Sequence, residues 1–206
     1  MDTDRHVDLL TSPDLSVAWI SVTKCASAFI RQTLYKNKWF EPSPEICEAI
    51  RQSEDIPKLI VLRDPVQRWV SGFSQCFWDN TDIIKLLEQE VFWDTIAINP
   101  VFDGHTEYQH KFHRNANNTK YIYLQSWETG SARTFYNQLS AWLTGFNYSL
   151  DLTGLYYPVN SYESDPAQCK IYLFLREQVE NKYRQMLTDL HKPDYELLDY
   201  LPKLKI

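Results

Sequence analysis

Two segments of the chain, Val17–Leu34 and Leu59–Phe73, share one order of hydrophobic and polar positions. Each begins with a short apolar run, continues through a basic residue and a polar turn, and ends in an amphipathic stretch. A short apolar run beside a turn is typical of a buried strand, and apolar residues three and four apart are typical of a helix. Each segment therefore predicts a strand, a loop and a helix in that order.

The rest of the chain continues this alternation. It predicts a short helix within residues 41–57, helices at Asp82–Ile98, Ser131–Leu143 and Gln178–Leu190, and strands at Tyr121–Leu124 and Ile171–Leu175. Strands that alternate with helices predict an α/β fold, in which a parallel sheet is covered by helices on both faces. Ligands of such folds bind beyond the carboxyl ends of the strands, where both polar loops are expected.

Both loops carry the features of an anion site. In the first, Lys24 follows the strand and Ala26–Ala28 lie at the start of the helix. In the second, Arg63 ends the strand, Asp64 is a suitable helix cap and Pro65 suits the first helical position. Backbone N–H groups and the positive end of a helix dipole, next to a cation, favour phosphate or sulfate. Two such loops predict a ligand with anionic groups at both ends.

Composition narrows the class of protein. The chain has 206 residues and is 44% hydrophobic, which predicts one globular domain over residues 1–206. A net charge of −6 argues against a nucleic-acid-binding surface. The N-terminus lacks an apolar signal core, no run reaches membrane-spanning length, and the cysteines show no paired spacing. We therefore expect a cytoplasmic protein with no integral membrane segment.

The two loops also carry recognisable motifs. K-x-A-S at Lys24–Ser27 and R-D-P-x-x-R-x-x-S-G at Arg63–Gly72 resemble the cofactor motifs of the sulfotransferases, in particular of the carbohydrate (Golgi-type) branch. The resemblance implies a single sulfotransferase domain with a P-loop-like sheet. It also implies 3′-phosphoadenosine 5′-phosphosulfate (PAPS) as the donor, a hydroxyl of a carbohydrate or glycan as the acceptor, and no metal.

The resemblance assigns cofactor contacts to both motifs. The first implies a grip on the 5′-phosphosulfate by Lys24, Cys25, Ala26, Ser27, Ala28 and Phe29. Ala28 stands where the family usually has Ser or Thr, so one hydroxyl is missing from this grip. The second motif implies a 3′-phosphate clamp made by Arg63 and Ser71, and an arginine fork suits a phosphate. Arg68 either reaches the cofactor or pairs with Asp64 on the helix surface.

A third pattern resembles the family motif D-x-H-x-x-x-Q. Asp103, His105 and Gln109 have its spacing, which implies that His105 is the catalytic base. It also implies that Asp103 and Gln109 bind the substrate, or that one of them orients the imidazole ring or the acceptor. A base with a pKa near neutrality suits deprotonation of a hydroxyl, and His110 and His113 lie near enough to compete for this role. The H-x-x-H pair that they form lacks a third ligand, so no metal site is predicted.

The implied reaction is an in-line displacement in which Lys24 and the loop amides stabilise the leaving oxygen while His105 takes the proton. Asn160 is either a ligand contact or a turn residue. Two rivals remain. A P-loop kinase needs G-x-x-x-x-G-K-[ST], yet no glycine occurs between Met1 and Ser71. A non-catalytic nucleotide-binding protein on the same fold has Ala28 in its favour.

Overall fold

The computed structural model describes residues 9–80, 82–112, 117–124, 132–149, 151 and 166–200. In chain order the described elements are β1 (Leu9–Thr11), β2 (Ala18–Ile20), α1 (Ser27–Lys36), α2 (Pro44–Gln52), β3 (Lys58–Arg63), α3 (Pro65–Cys76), α4 (Ile83–Leu87), α5 (Glu90–Ile98), a 3₁₀ turn (Gln109–Lys111), β4 (Thr119–Leu124), α6 (Ala132–Thr144), α7 (Pro166–Gln178), a π turn (Val179–Tyr183), α8 (Arg184–Leu190) and α9 (Lys192–Tyr200).

These elements form two compact units. The sheet unit takes its described residues from Met1–Arg63 and Lys111–Tyr157, and it holds all the described strands with α1, α2 and α6. The helical unit takes its described residues from Asp64–His110 and Pro158–Leu201, and it holds the remaining helices.

The sheet has four strands in the order β1-β2-β3-β4. The β2–β3 and β3–β4 pairs are parallel, whereas β1 runs antiparallel to β2. The predicted α/β class is therefore confirmed, and the sheet is mostly rather than wholly parallel because β1, which was not predicted, pairs antiparallel with β2. Trp19 and Ile60 are buried in neighbouring strands, as expected for a sheet enclosed by other elements. The parallel pairing puts the loop after β2 and the end of β3 at the same edge of the sheet.

Helix α3 forms as the sequence predicts. Pro65 occupies its first turn and the Asp64 carboxylate accepts a hydrogen bond from the N–H of Gln67 at 2.8 Å. This bond satisfies one of the N–H groups that the helix start leaves without an intrahelical partner. Trp69 and Phe73, one turn apart, are fully buried in the helical unit, which fixes the orientation of the helix.

The strand predicted at Ile171–Leu175 is wrong, because this segment lies within helix α7. Ile171 and Leu175 are fully buried while Leu173, between them, is 51% exposed. A strand would place all three on one face, whereas a helix separates the middle residue from the other two. The apolar run is short, and such runs fit a strand or a buried helix equally well until packing decides. Here α7 packs on α3.

The single helix predicted at Asp82–Ile98 is divided into α4 and α5. Gln89 between them has extended backbone angles, φ −97° and ψ 126°. The indole N–H of Trp93 donates to the carbonyl of Leu87 at 2.8 Å, which satisfies a group at the end of α4. After the break Trp93 is buried at 1% exposure, whereas Val91, which was predicted to face inward, is 66% exposed.

The helix predicted at Gln178–Leu190 is also interrupted, since a π turn separates α7 from α8. The ring of Tyr183 in that turn stacks on Trp93, with centroids 3.8 Å apart. The helix predicted at Ser131–Leu143 is confirmed as α6, which buries Leu139 and Leu143. Within the part of the chain that the structure describes, no helix combines the length and apolar character that crossing a membrane requires.

Candidate functional site

The loop between β2 and α1 has an uncommon backbone conformation. Lys24 and Ala26 both adopt left-handed angles, with φ of 64° and 58°. Such angles cost a residue with a Cβ about 1–2 kcal/mol, and they collect at functional sites. Ala26 is the N-cap of α1 and supplies no side-chain hydrogen bond. The loop therefore curves sharply into a helix start whose first N–H groups are not used inside the helix.

The side chains of this loop differ in what they can offer. Lys24, Ala26 and Ser27 are partly exposed and Ala28 is exposed. Cys25 and Phe29 are buried, at 1% and 3% exposure, so only their backbone groups can meet a ligand. A 5′ grip formed by this loop would therefore rely on backbone groups, with a charge added by Lys24 and a hydroxyl by Ser27.

Arg63 connects the two motifs inside the sheet unit. It ends β3, is only 6% exposed, and its Nη1 donates to the carbonyl of Lys24 at 3.5 Å. A guanidinium carries five N–H donors in a fixed fork, so it can donate to more than one acceptor. The structure thus brings Arg63 and the Lys24 loop together at the carboxyl edge of the sheet.

The carboxylate of Asp64 contacts residues of three helices of the helical unit. Besides capping α3, its carboxylate accepts a hydrogen bond from the hydroxyl of Tyr195 at 2.9 Å and lies 4.0 Å from the guanidinium of Arg184. Burial and the negative charge of Asp64 raise the pKa of the Tyr195 hydroxyl above its usual range. Asp64 is therefore committed to the packing of α8 and α9 against the start of α3.

The alternative that places Arg68 on the helix surface, paired with Asp64, is wrong because the side chain is not at the surface. Arg68 is fully buried, and its Nη1 donates to the backbone carbonyl of Glu107. A buried guanidinium needs such acceptors because an unpaired buried charge is costly. Arg68 thus fixes the loop that contains His105 to α3, and its contact with a cofactor stays a prediction.

Gly72 has a structural reason for its place in the second motif. A Cβ at this position would lie 2.2 Å from the carbonyl oxygen of His105, a distance that real Cβ atoms do not show. Only glycine lets the loop backbone rest directly on α3. Ser71, the neighbouring motif residue, is buried at 9% exposure. The predicted 3′-clamp serine and the backbone of the predicted base therefore belong to one closely packed region of the helical unit.

His105 and Asp103 form the most complete arrangement of side chains. The Nδ1 of His105 lies 2.7 Å from Oδ2 of Asp103, and its backbone N–H donates to Oδ1 at 2.8 Å. Burial alone would raise the pKa of Asp103, but hydrogen bonds from Cys76 and His105 outweigh it, so that pKa lies below the ordinary value. Because an ionised carboxylate only accepts, the proton of a neutral imidazole sits on Nδ1 and Nε2 carries the lone pair. This is the tautomer that a general base requires.

Thr106 builds the turn that carries this pair, and the sequence did not indicate it. Its buried hydroxyl accepts hydrogen bonds from the N–H groups of Phe102 and Asp103, at 2.8 and 3.1 Å, and it donates to the carbonyl of Asp103. One hydroxyl thus satisfies three backbone groups of the turn. Threonine three residues after an aspartate is a common arrangement, which is why the spacing alone gave no signal.

Asp194 holds the far end of the same loop. Its fully buried carboxylate accepts from the N–H groups of Gln109 and His110, both at 2.9 Å, and contacts the Nδ1 atoms of His110 at 2.7 Å and His191 at 3.4 Å. Burial opposes ionisation, but these hydrogen bonds prevail and lower the pKa of Asp194 to about 2. Gln109 itself is fully buried. His110 is thus placed as part of this anchor, while His113 and Asn160 lie outside the described residues.

Comparison with protein-family models, with curated proteins and with solved structures finds no match for this chain. Support for a function therefore comes from the residues themselves. It falls into two parts: the Lys24 loop with Arg63 in the sheet unit, and the Asp103–His105 turn on α3 in the helical unit.

Proposed function

We propose that the protein is a PAPS-dependent sulfotransferase that moves a sulfuryl group to a hydroxyl of a carbohydrate or glycan. The observation that carries the proposal is the hydrogen bond from Arg63 to the Lys24 carbonyl. It joins the two basic motif residues at the carboxyl edge of parallel strands, which is where ligands of α/β folds bind. The strained turn at Lys24 and Ala26 supports an anion-binding role for the same loop.

The proposed division of labour follows from charge. The backbone N–H groups at the start of α1 and the Lys24 ammonium would hold the 5′-phosphosulfate and stabilise charge on the leaving phosphate. The Arg63 guanidinium would bind the 3′-phosphate, since its fork matches phosphate oxygens better than an ammonium does. Ser71 and Arg68 are the further residues that we propose as contacts of the cofactor.

His105 would act on the acceptor. As the hydroxyl attacks sulfur, its O–H bond breaks and the proton passes to Nε2 of the imidazole, while the bond from sulfur to the bridging phosphate oxygen breaks. Asp103 holds the ring at 2.7 Å and stabilises the imidazolium that forms. Asp103 is exposed and is the residue proposed to bind or orient the acceptor, whereas Gln109 has a fully buried side chain and would orient the acceptor only through the loop that carries His105.

Transfer of label from ³⁵S-PAPS tests this proposal. The purified protein is incubated with a panel of sugar, lipid and phenolic acceptors, and sulfated products are separated by chromatography. We expect labelled product with carbohydrate acceptors and the release of 3′-phosphoadenosine 5′-phosphate. A protein that binds this nucleotide but transfers no label to any acceptor class would be a non-catalytic binding protein, and the proposal would be wrong.

A further inference from the structure

A second kind of site is built around the proposed base. The Sγ of Cys76, a carboxylate oxygen of Asp103 and a ring nitrogen of His105 all lie within 4.8 Å of one another. Cys76 Sγ is 3.0 Å from Oδ1 of Asp103, and His105 Nδ1 is 2.7 Å from Oδ2. Thiolate, imidazole and carboxylate are the three ligand types that zinc takes in proteins.

Backbone contacts between α3 and the Asp103–Thr106 turn hold the three side chains near one another in the metal-free protein. Gly72 brings the His105 backbone against α3, and Cys76 lies four residues further along, on the same face of that helix. Thr106 ties the turn from the other side through its hydroxyl. Three ligands therefore come from one helix and one braced turn, an arrangement that suits a metal site better than a mobile loop does.

Charge and access also fit a divalent cation. A thiolate and a carboxylate supply two negative charges, which a zinc ion would neutralise. Cys76 is the last residue of α3, where the negative end of the helix dipole favours a cation. Cys76 and His105 are partly exposed and Asp103 is exposed, so an ion can enter from solvent.

We propose that Cys76, Asp103 and His105 bind one zinc ion, with solvent as the fourth ligand. The Cys76 thiol releases its proton to solvent on binding. His105 coordinates through Nδ1 as a neutral imidazole, with its proton on Nε2. The zinc–ligand distances of about 2.0–2.3 Å that proteins show require ligand atoms roughly 3.5 Å apart, which the two measured pairs approach.

This site goes beyond the transfer reaction and would oppose it. An imidazole bound through Nδ1 carries its proton on Nε2 and cannot take one from an acceptor. Zinc is therefore expected to inhibit sulfuryl transfer reversibly, a consequence that rests on the proposed function, whereas zinc binding itself does not.

Cobalt absorption tests the site without PAPS. Titration of the reduced, metal-free protein with Co²⁺ should give a thiolate-to-cobalt charge-transfer band that saturates at one equivalent and is displaced by Zn²⁺. Cys76→Ser should abolish the band and His105→Ala should weaken binding by about ten-fold or more. Cys47→Ser is the matched control, because Cys47 is also partly exposed and its Sγ donates to the backbone carbonyl of Pro42 at 3.6 Å.

Alkylation of the unaltered protein gives a second measurement. Zinc should slow the reaction of iodoacetamide with Cys76 by about ten-fold and leave Cys47 unaffected, as read by peptide mass spectrometry. The proposal is overturned if no charge-transfer band forms, if the band survives Cys76→Ser, or if zinc fails to protect Cys76 selectively. Zinc binding in a protein that transfers no sulfate would leave this site intact and refute only the transferase assignment.

Discussion

The Lys24 loop of the sheet unit and the Asp103–Thr106 turn of the helical unit are built in opposite ways. The first is made of backbone: two non-glycine residues with left-handed angles lead into a helix start that has no side-chain cap. The second is made of side chains, because the Thr106 hydroxyl shapes the turn and the Asp103 carboxylate orients His105. A backbone site responds to changes in conformation, whereas a side-chain site is broken by removing one group.

The largest effect is expected at His105. His105→Ala should lower turnover by about 10²–10⁴-fold, the usual contribution of a general base, while nucleotide affinity barely changes because the proposed base acts on the acceptor. Steady-state kinetics with labelled PAPS, together with calorimetry of the nucleotide, separate the two quantities. His110→Ala is the control, and it should cost far less turnover. The assignment is wrong if His110→Ala silences the enzyme while His105→Ala leaves it active.

The contacts of Asp194 with Gln109 and His110 can be tested through the pH dependence of the unfolding free energy. Asp194→Asn should lower the free energy of unfolding at neutral pH by about 2–4 kcal/mol, because it disturbs a buried acceptor of several hydrogen bonds. The folded pKa of about 2 lies below the ordinary 3.8, so the stabilisation is complete above roughly pH 4 and is lost as pH falls towards 2.

Urea unfolding at a series of pH values measures how much the ionised Asp194 stabilises the fold. The gap in stability between the original protein and Asp194→Asn should narrow as the pH is lowered. A gap that stays constant down to pH 2 would mean that the charge of Asp194 does not stabilise the fold.

The substitution Gly72→Ala tests whether close contact between the Asp103–Thr106 turn and α3 is required. A methyl group would meet the His105 carbonyl at 2.2 Å, so the turn must move. We expect a loss of about 1–3 kcal/mol in unfolding free energy despite the better helix propensity of alanine, and a fall in turnover as His105 is displaced. Gly145→Ala, whose Cβ would lie 3.2 Å from its nearest neighbour, should change stability by less than about 1 kcal/mol. Equal effects of the two substitutions would refute the close-contact role of Gly72.

The smallest effect is expected in the Lys24 loop, where a substitution tests the strain of the backbone rather than the loss of a side chain. Ala26→Gly should raise the unfolding free energy by about 0.5–1 kcal/mol, because relief of the left-handed strain exceeds the entropy that glycine adds to the unfolded chain. Ala28→Gly, two residues along in the first turn of α1, is the control and should lower stability by up to about 1 kcal/mol. Thermal unfolding of both variants gives the comparison, and the same sign for both would contradict the strain.

The features that the sequence predicted are those set by neighbouring residues. The Asp64 cap with Pro65 depends on a few positions in a row, and the pairing of Asp103 with His105 spans two residues. The alternation of strands and helices was likewise predicted from the spacing of apolar residues along the chain.

The features that the sequence did not predict depend on distant parts of the chain. Asp194 meets His110 across 84 residues, and Arg68 meets Glu107 across 39. No local pattern encodes such contacts. The strand predicted at Ile171–Leu175 failed for the same reason, since packing against α3 rather than the apolar run itself decides that this segment is helical. Gly72 left a usable signal, because a glycine inside a helical pattern weakens the helix and its presence there suggests a packing or functional reason.

Nucleotide calorimetry tests the central claim most directly. We expect 3′-phosphoadenosine 5′-phosphate to bind more tightly than adenosine 5′-phosphate. Arg63→Ala should remove about 1.5–3 kcal/mol of binding free energy from the first nucleotide, the usual worth of a charged hydrogen bond, and much less from the second. Arg51→Ala is the matched control, since Arg51 lies in the same unit and donates to the carbonyl of Phe112. Equal affinity for the two nucleotides, or an Arg63→Ala protein that binds both as before, would contradict a two-phosphate site at the Lys24 loop and Arg63.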